Sequence, residues 1–341
     1  MAETAARTAT LPPEAQIAEM ITAQLGSRLI HLAAVLKLPD HLDAGPRSAE
    51  ELASITSTHA PTLYRVMRTM AGMGIFSEGH DHRFALTPIG DALRSGTPGY
   101  ATALMMGGAM VTRSLDNLLF SVRTGTTAFA KAFDKPLFDW LADHPEEAAL
   151  FNETMVGLHG SEPPAVAAAY DFSVFSTIAD IGGSTGNLLA TILSQHAGPR
   201  GILYDLPHVM REAPAFLRQR GLTDRIRIET GSFFDAVPSG ADAYILSHII
   251  HDWSEPQCLT ILGNCRRAMN PGGRVLLIEM VLPEGDAPHA GKLLDIVMLA
   301  VPGGEERTAG QYADLLAKAG LRITRVLATA SLVSVIEALP V

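Results

Sequence analysis

The chain has 341 residues, 47% of them hydrophobic, and a formal net charge of −10 from 26 Lys and Arg against 36 Asp and Glu. That length supports two cores, and the acidic balance disfavours a nucleic-acid partner, whose phosphates call for clustered cations. No apolar run reaches the roughly 20 residues that span a bilayer, and the stretch from Met1 to Arg7 lacks a signal-peptide core, so a cytoplasmic protein is expected.

Two compositional regimes divide the sequence, one helical to about residue 165 and one alternating strand and helix. They read as segments 1–100, 101–165 and 166–341. Apolar residues recur at helical spacing over 17–36, and Ser48 followed by Glu51 has the spacing of a capping box that opens a second helix. A third helix over 61–73 precedes two short apolar stretches separated by Gly79-His80-Asp81-His82, which predict a hairpin. Helices followed by a hairpin make a winged helix. The helix that would enter a groove offers only Arg65 and Arg68, so packing or dimerisation is the expected use, not DNA binding.

The middle segment is rich in methionine and aromatics, among them Met105, Met110, Phe138, Trp140, Phe151 and Met155. Such a set fits plain core, and it equally fits a cover over a flat aromatic ligand.

The last segment predicts a doubly wound α/β fold, with strands near 176–181, 201–204, 226–229, 243–246, 275–279, 322–327 and 331–336. The first strand ends at Asp180-Ile181 and opens into Gly182-Gly183-Ser184-Thr185-Gly186 before a helical pattern begins. Glycines at such a turn let a ligand approach the backbone and the helix N-terminal amides. The spacing differs from the dinucleotide fingerprint, which argues against NAD. Asp205, at the carboxyl end of the next strand, is placed to hold the two ribose hydroxyls of an adenosine. Ser232 and Phe233 follow the third strand and Ser247 ends the fourth, so one edge of the sheet gathers cofactor contacts and ionisable groups.

His251 stands just beyond that fourth strand, next to Asp252, with Glu279 and Glu306 at the ends of later segments. An imidazole that titrates near neutrality suits proton abstraction, and neighbouring carboxylates would orient it. Cys258 and Cys265 share one predicted helix, too far apart along it to bond to each other, so reduced thiols are expected. His248 and His251 have no evident third ligand close in sequence, and no metal is expected.

These motifs together resemble the S-adenosylmethionine-dependent O-methyltransferases of the small-molecule class, the family of plant caffeic acid and isoflavone enzymes and of bacterial antibiotic-tailoring enzymes. Four stretches carry the resemblance in order: Ala179 to Gly186, Asp205-Leu206-Pro207, His251-Asp252-Trp253-Ser254 and Gly303-Gly304-Glu305-Glu306-Arg307-Thr308. It implies a Rossmann-like methyltransferase domain behind an N-terminal all-helical winged-helix domain that builds an intertwined homodimer. It further implies that Gly182 and its neighbours Gly183 and Gly186 hold the methionine part of S-adenosylmethionine, that Asp205 holds the ribose, that Phe233 lies against the adenine with Trp253 helping to wall the site, and that Asp180 and Leu206 belong to the same cofactor site. His251 becomes the general base, with Glu279, Glu306 and Asp252 around it. Phe151, Met155 and Met298 match acceptor-lining positions, and Met105, Phe138 and Trp140 join them as pocket candidates for a small hydroxylated aromatic.

The chain departs from the family pattern at Ser232, where many relatives carry an acid, and at Ser247, where plant enzymes carry lysine; both weaken the implied adenine contacts. Two other readings stand beside O-methylation. The same fold and cofactor serve C- or N-methylation, decarboxylation, hydroxylation or rearrangement in relatives, and a winged helix with a ligand domain also describes a DNA-binding regulator. The acidic charge and the complete set His251, Glu279 and Glu306 favour O-methyl transfer.

Overall fold

The computed structural model describes residues 11–341. The leader expectation for Met1 to Arg7 lies outside the described residues. Two compact units form, one from the chain up to Asp116 together with Phe138–Leu158, the other from Asn117–Leu137 together with His159–Val341. The helical stretch 101–165 is thus shared between the two units.

In the first unit, Pro12 and Pro13 start a helix over Pro13–Val35, since proline is tolerated where the amide has no intrahelical partner. The helix Ala49–Thr56 opens as its capping box predicts: Glu51 N–H donates to Ser48 Oγ at 3.3 Å and Ser48 N–H donates to Glu51 Oε2 at 2.8 Å. The helix Ala60–Gly72 leads into β2 (Phe76–Glu78) and β3 (Arg83–Leu86), and β1 (Arg47–Ser48) adds to the far side of β3, giving the order β1-β3-β2. The hairpin forms where the sequence predicted it, and with β1 added the unit is mostly helical with a small antiparallel sheet. Leu38, Leu52, Met67, Met70, Phe76 and Phe84 fill its core. Ile17, Met20, Ile21 and Leu25, all more than half exposed, fall on one face of the first helix by their 3–4 spacing.

The second unit is built on β4 (Thr177–Ile181), β5 (Arg200–Asp205), β6 (Ile226–Thr230), β7 (Ala243–Ser247), β8 (Arg274–Leu282), β9 (Arg307–Thr308), β10 (Leu321–Ala328) and β11 (Val333–Pro340). Their order is β10-β11-β8-β7-β4-β5-β6, with the two-residue β9 pairing the end of β8. Strands β4 to β8 are parallel, and β10 and β11 close one edge antiparallel. Helices cover both faces, which is why almost every residue of β4 and β7 is buried and why, apart from Asp180, their interiors read as apolar runs. The chain passes from β4 to β5 and β6 on one side, then returns to β7 and β8 on the other, so the order reverses beside β4. A crevice at the carboxyl ends of such strands is where open α/β sheets take ligands.

A buried ion cluster ties the antiparallel edge to the rest of the sheet. Glu337, 4% exposed, accepts from Arg274 at 2.6 Å, from Arg325 at 2.9 Å, and from Tyr170 and Thr324. Burial works against its charge, but these donors outweigh it and lower its pKa to about 2. The resulting stability is present above the ordinary carboxylate range and is lost as pH falls toward 2. Glu337→Gln is expected to cost about 2 kcal/mol in urea unfolding at neutral pH and to flatten this acid dependence; an unchanged midpoint would remove the cluster from the account.

Candidate active site

Where β4 ends, Gly182 and Gly186 adopt φ of +74° and +84°, a region that only glycine enters without strain. Space is short as well: a Cβ on Gly182 would stand 2.4 Å from Ile249 Cδ1, and one on Gly183 would stand 2.5 Å from Leu203 Cδ1. The backbone therefore runs bare to the start of the helix Asn187–Gln195. Asp180 lies beneath this turn, 1% exposed, with burial and then the Asp205 charge raising its pKa to about 7.

Asp205 closes β5. Its Oδ2 accepts from Ser184 N–H at 3.0 Å and its Oδ1 from Leu206 N–H at 2.7 Å, so the carboxylate is fixed while each oxygen keeps a lone pair for a further donor. Beyond β6, Phe234 and Trp253 meet edge to face with centroids 4.8 Å apart, and Phe233 stands 5.9 Å from Trp253. Asn264 holds this loop by donating to the carbonyls of Phe233 and Phe234 at 2.7 and 3.1 Å. Ser232 Oγ is turned to its own loop, accepting from Phe234 N–H at 3.2 Å, and Ser247 ends β7 partly buried. A bare glycine turn, an anchored carboxylate and an aromatic wall fit an adenosine cofactor.

His251 is brought to its carboxylates by strand pairing. Ser247 aligns with Ile278 in the parallel β7–β8 ladder, which puts Glu279 beside the loop after β7, and pairing of Arg307 with Val281 places Glu306 next to the same spot. His251 Nδ1 lies 2.8 Å from Glu306 Oε1 and 3.5 Å from Glu279 Oε2. Glu279 Oε1 accepts the backbone N–H of Ile250 at 2.9 Å and of His251 at 3.3 Å. Asp252 Oδ1 stands 3.7 Å from His251 Nε2, beyond hydrogen-bond range. Burial disfavours the imidazolium, yet the Glu279 charge and the Glu306 hydrogen bond outweigh it and raise the His251 pKa to about 10. Burial also raises Glu279 to about 7. His251 and Glu279 stand close enough for the charge of one to bear on the protonation of the other.

The last motif clamps the histidine loop from the other side. Glu305 N–H donates to His251 O at 2.7 Å, and Arg307 Nη1 donates to the carbonyls of Ile250 and Glu305 at 3.2 and 3.1 Å. Asp295 accepts from Glu306 N–H at 2.8 Å. Sequence reasoning gave Gly304 and Arg307 no separate role, although both stood inside the quoted motif.

Near His248 the sequence showed no third ligand, and folding supplies partners. Glu162 Oε2 lies 2.6 Å from His248 Nε2 and 3.1 Å from His159 Nδ1. Burial lowers the His248 pKa to about 4; it opposes the Glu162 charge, but the two imidazole hydrogen bonds lower Glu162 to about 2. Glu162 is 86 residues from His248, so no local pattern announced it.

Of the acceptor candidates, Met298 lies in the second unit, 8% exposed on the helix Ala290–Ala300. Met105, Phe138, Trp140, Phe151 and Met155 all belong to the first unit, where Phe138 and Phe151 meet edge to face at 6.4 Å and Trp140 stacks on His144 at 3.7 Å. A shallow cleft at the amino ends of the strands, lined by Thr177, Arg200, Asp224 and Arg225, is opposite this chemistry.

The family model of the O-methyltransferase domain matches residues 115–322, and that of the O-methyltransferase dimerisation domain matches 18–96. The chain is 42% identical to phenazine O-methyltransferase PhzM of Lysobacter antibioticus, over 98% of each protein. It superposes on the structure of mitomycin 7-O-methyltransferase MmcR with a TM-score of 0.90 at 36% identity, covering 99% of this chain and 100% of that one. It is also similar to NcsB1, an O-methyltransferase from neocarzinostatin biosynthesis crystallised with S-adenosyl-L-homocysteine and 1,4-dihydroxy-2-naphthoic acid, with a TM-score of 0.81 at 32% identity, covering 93% of this chain and 96% of that one. The chain belongs to this family and is an S-adenosylmethionine-dependent O-methyltransferase carrying an N-terminal dimerisation domain.

Proposed function

We propose that the protein methylates a hydroxyl of a flat aromatic secondary metabolite such as a polyketide, phenazine or quinone phenol, with His251 as general base. The observation that carries this reading is the one-sided tie of the imidazole: Nδ1 is held by Glu306 at 2.8 Å, which fixes the tautomer and leaves Nε2 for the acceptor hydroxyl. Relatives agree in kind, since two are named for a phenazine and a mitomycin and a third is crystallised with a dihydroxynaphthoic acid.

S-adenosylmethionine, when bound, supplies the electrophilic methyl group of an in-line displacement. The backbone of Gly182, Gly183 and Gly186, supported by Asp180, is proposed to hold its methionine part, Asp205 and Leu206 its ribose, and Phe233, Trp253, Ser232 and Ser247 its adenine end. Met298 is proposed as an acceptor contact, and Met105, Phe138, Trp140, Phe151 and Met155 join it on the resemblance and on their polarizable apolar chemistry. Ionising a phenol of pKa about 10 at pH 7 costs about 4 kcal/mol, and a positioned base removes part of that barrier. Holding two reactants in line lowers the barrier by up to about 7–11 kcal/mol, so positioning is the larger contribution.

Because its carboxylates raise the His251 pKa, the neutral, proton-accepting form grows as pH rises from neutrality toward 10. For an acceptor that stays un-ionised over that range, kcat/KM is expected to climb with pH in the wild type and to stay flat in His251→Ala. The reaction itself is tested with cofactor carrying a deuterated methyl group and a panel of hydroxylated polycyclic aromatics read by mass. A labelled methyl ether supports the reading; conversion without label overturns it.

A homodimer is proposed through the first helix, whose Ile17, Met20, Ile21 and Leu25 leave an apolar stripe more than half exposed, the last three of them inside the matched dimerisation domain. Met20→Glu with Ile21→Asp is expected to halve the mass seen by light scattering; an unchanged mass would move the interface elsewhere. A cytoplasmic setting is proposed as well, consistent with the two free thiols Cys258 and Cys265.

A further inference from the structure

His159, Glu162 and His248 form a second group of ligand-type side chains in the same unit, and the methyl-transfer chemistry leaves it unused. His159 ends the helix Pro145–His159, Glu162 opens the helix Glu162–Ala169, and His248 occupies the left-handed turn after β7 at φ +53°. One oxygen, Glu162 Oε2, stands between the two rings, 3.1 Å from His159 Nδ1 and 2.6 Å from His248 Nε2. The rings themselves lie 3.8 Å apart, and one donor atom from each of the three residues falls within 4.8 Å of the others.

We propose that His159, Glu162 and His248 bind a divalent transition-metal ion of the zinc type. Two imidazole nitrogens and one carboxylate oxygen are a donor set that zinc accepts with its fourth position left open. Bonds of about 2.0–2.1 Å in a tetrahedron separate ligand atoms by roughly 3.4 Å, so Glu162 Oε2 needs to part from each nitrogen by less than about 1 Å. Side-chain exposure falls from 27% at His159 to 12% at His248 and 9% at Glu162, which gives an entry side and a water-accessible fourth position next to His159.

A second observation points the same way. His248 Nδ1 and Glu279 Oε2 are both buried without a hydrogen-bond partner, and His248, His251 and Glu279 also present polar atoms within 4.8 Å of one another. A metal on His248 Nε2 displaces the ring proton to Nδ1, the buried nitrogen that has no hydrogen-bond partner among the described residues. Closure of Glu279 on that nitrogen would complete the carboxylate–histidine–metal arrangement by which such rings are oriented.

The test is a titration of the metal-stripped full-length protein with Co(II), read by visible absorption and by the stoichiometry of retained metal, neither of which depends on methyl transfer. One equivalent per chain with a four- or five-coordinate spectrum is expected, and His159→Ala or Glu162→Gln, shown folded by circular dichroism, should weaken binding about a hundredfold or more. His159→Cys, which restores a ligand atom, should recover binding with a thiolate charge-transfer band. Absence of stoichiometric binding in the wild type, or equal affinity in the folded variants, would overturn the proposal.

Discussion

His251→Ala is expected to lower turnover about 10²- to 10⁴-fold while leaving S-adenosylhomocysteine affinity nearly unchanged. The split follows from where the side chain sits. His251 Nδ1 is engaged by Glu306 and its backbone by Glu279 and Glu305, whereas the glycine turn and Asp205 are separate strand ends. Glu306→Gln is the companion variant. A neutral amide keeps a hydrogen bond to the ring but removes the charge that steadies the imidazolium formed when the acceptor proton is taken, so a fall in kcat with little change in KM is expected. Single-turnover kinetics on both variants would separate loss of chemistry from loss of binding. Tighter or weaker cofactor binding in His251→Ala, with kcat intact, would detach the residue from proton transfer.

Gly304→Ala is the second change with a large expected effect, although it touches no reacting group. A Cβ at that position would stand 1.9 Å from His251 O and 2.9 Å from Asp252 Cα. Both neighbours are backbone, so relief requires the loop to shift, and the Glu305 N–H donated to His251 O would shift with it. Overpacking of this kind costs about 1–3 kcal/mol, and a displacement of about 1 Å at a catalytic group costs about 10²-fold in rate. The variant should therefore lose stability in urea and activity together. Gly198→Ala is the control: its Cβ meets nothing within 4 Å, and neither stability nor turnover should move. Wild-type activity in Gly304→Ala would show that the loop tolerates the shift.

The parallel strands were legible because both of their faces are covered, which leaves runs such as Ala243 to Leu246 continuously apolar and Ile178 to Ile181 apolar but for the buried Asp180. The glycine turn was legible for a related reason: positive φ at Gly182 and Gly186 and crowding at Gly183 leave little choice of residue. The two-residue strands β1 and β9 were not, since two residues carry no period. The sequence also named Glu279 and Glu306 as partners of His251, but only the pairing of β8 with β7 and β9 explains how residues 28 and 55 positions away reach one ring.

Two features had no local signature at all. Division of 101–165 between two compact units depends on packing, because its methionine- and aromatic-rich helices have the same composition on both sides of the boundary. Glu162 stands at the start of a helix, where the dipole favours any carboxylate, and its bonds to His159 and His248 arise only from folding.

The central claim is that His251 removes the acceptor proton. It is tested most directly by the ratio of wild-type to His251→Ala turnover across a series of otherwise similar hydroxyarenes whose hydroxyl pKa values run from about 7 to about 10 at one fixed neutral pH. The account predicts a ratio that is largest for the weakest acids and shrinks toward one as the acceptor ionises by itself. A ratio that stays constant across the series would contradict a base role and leave His251 as a positioning group alone.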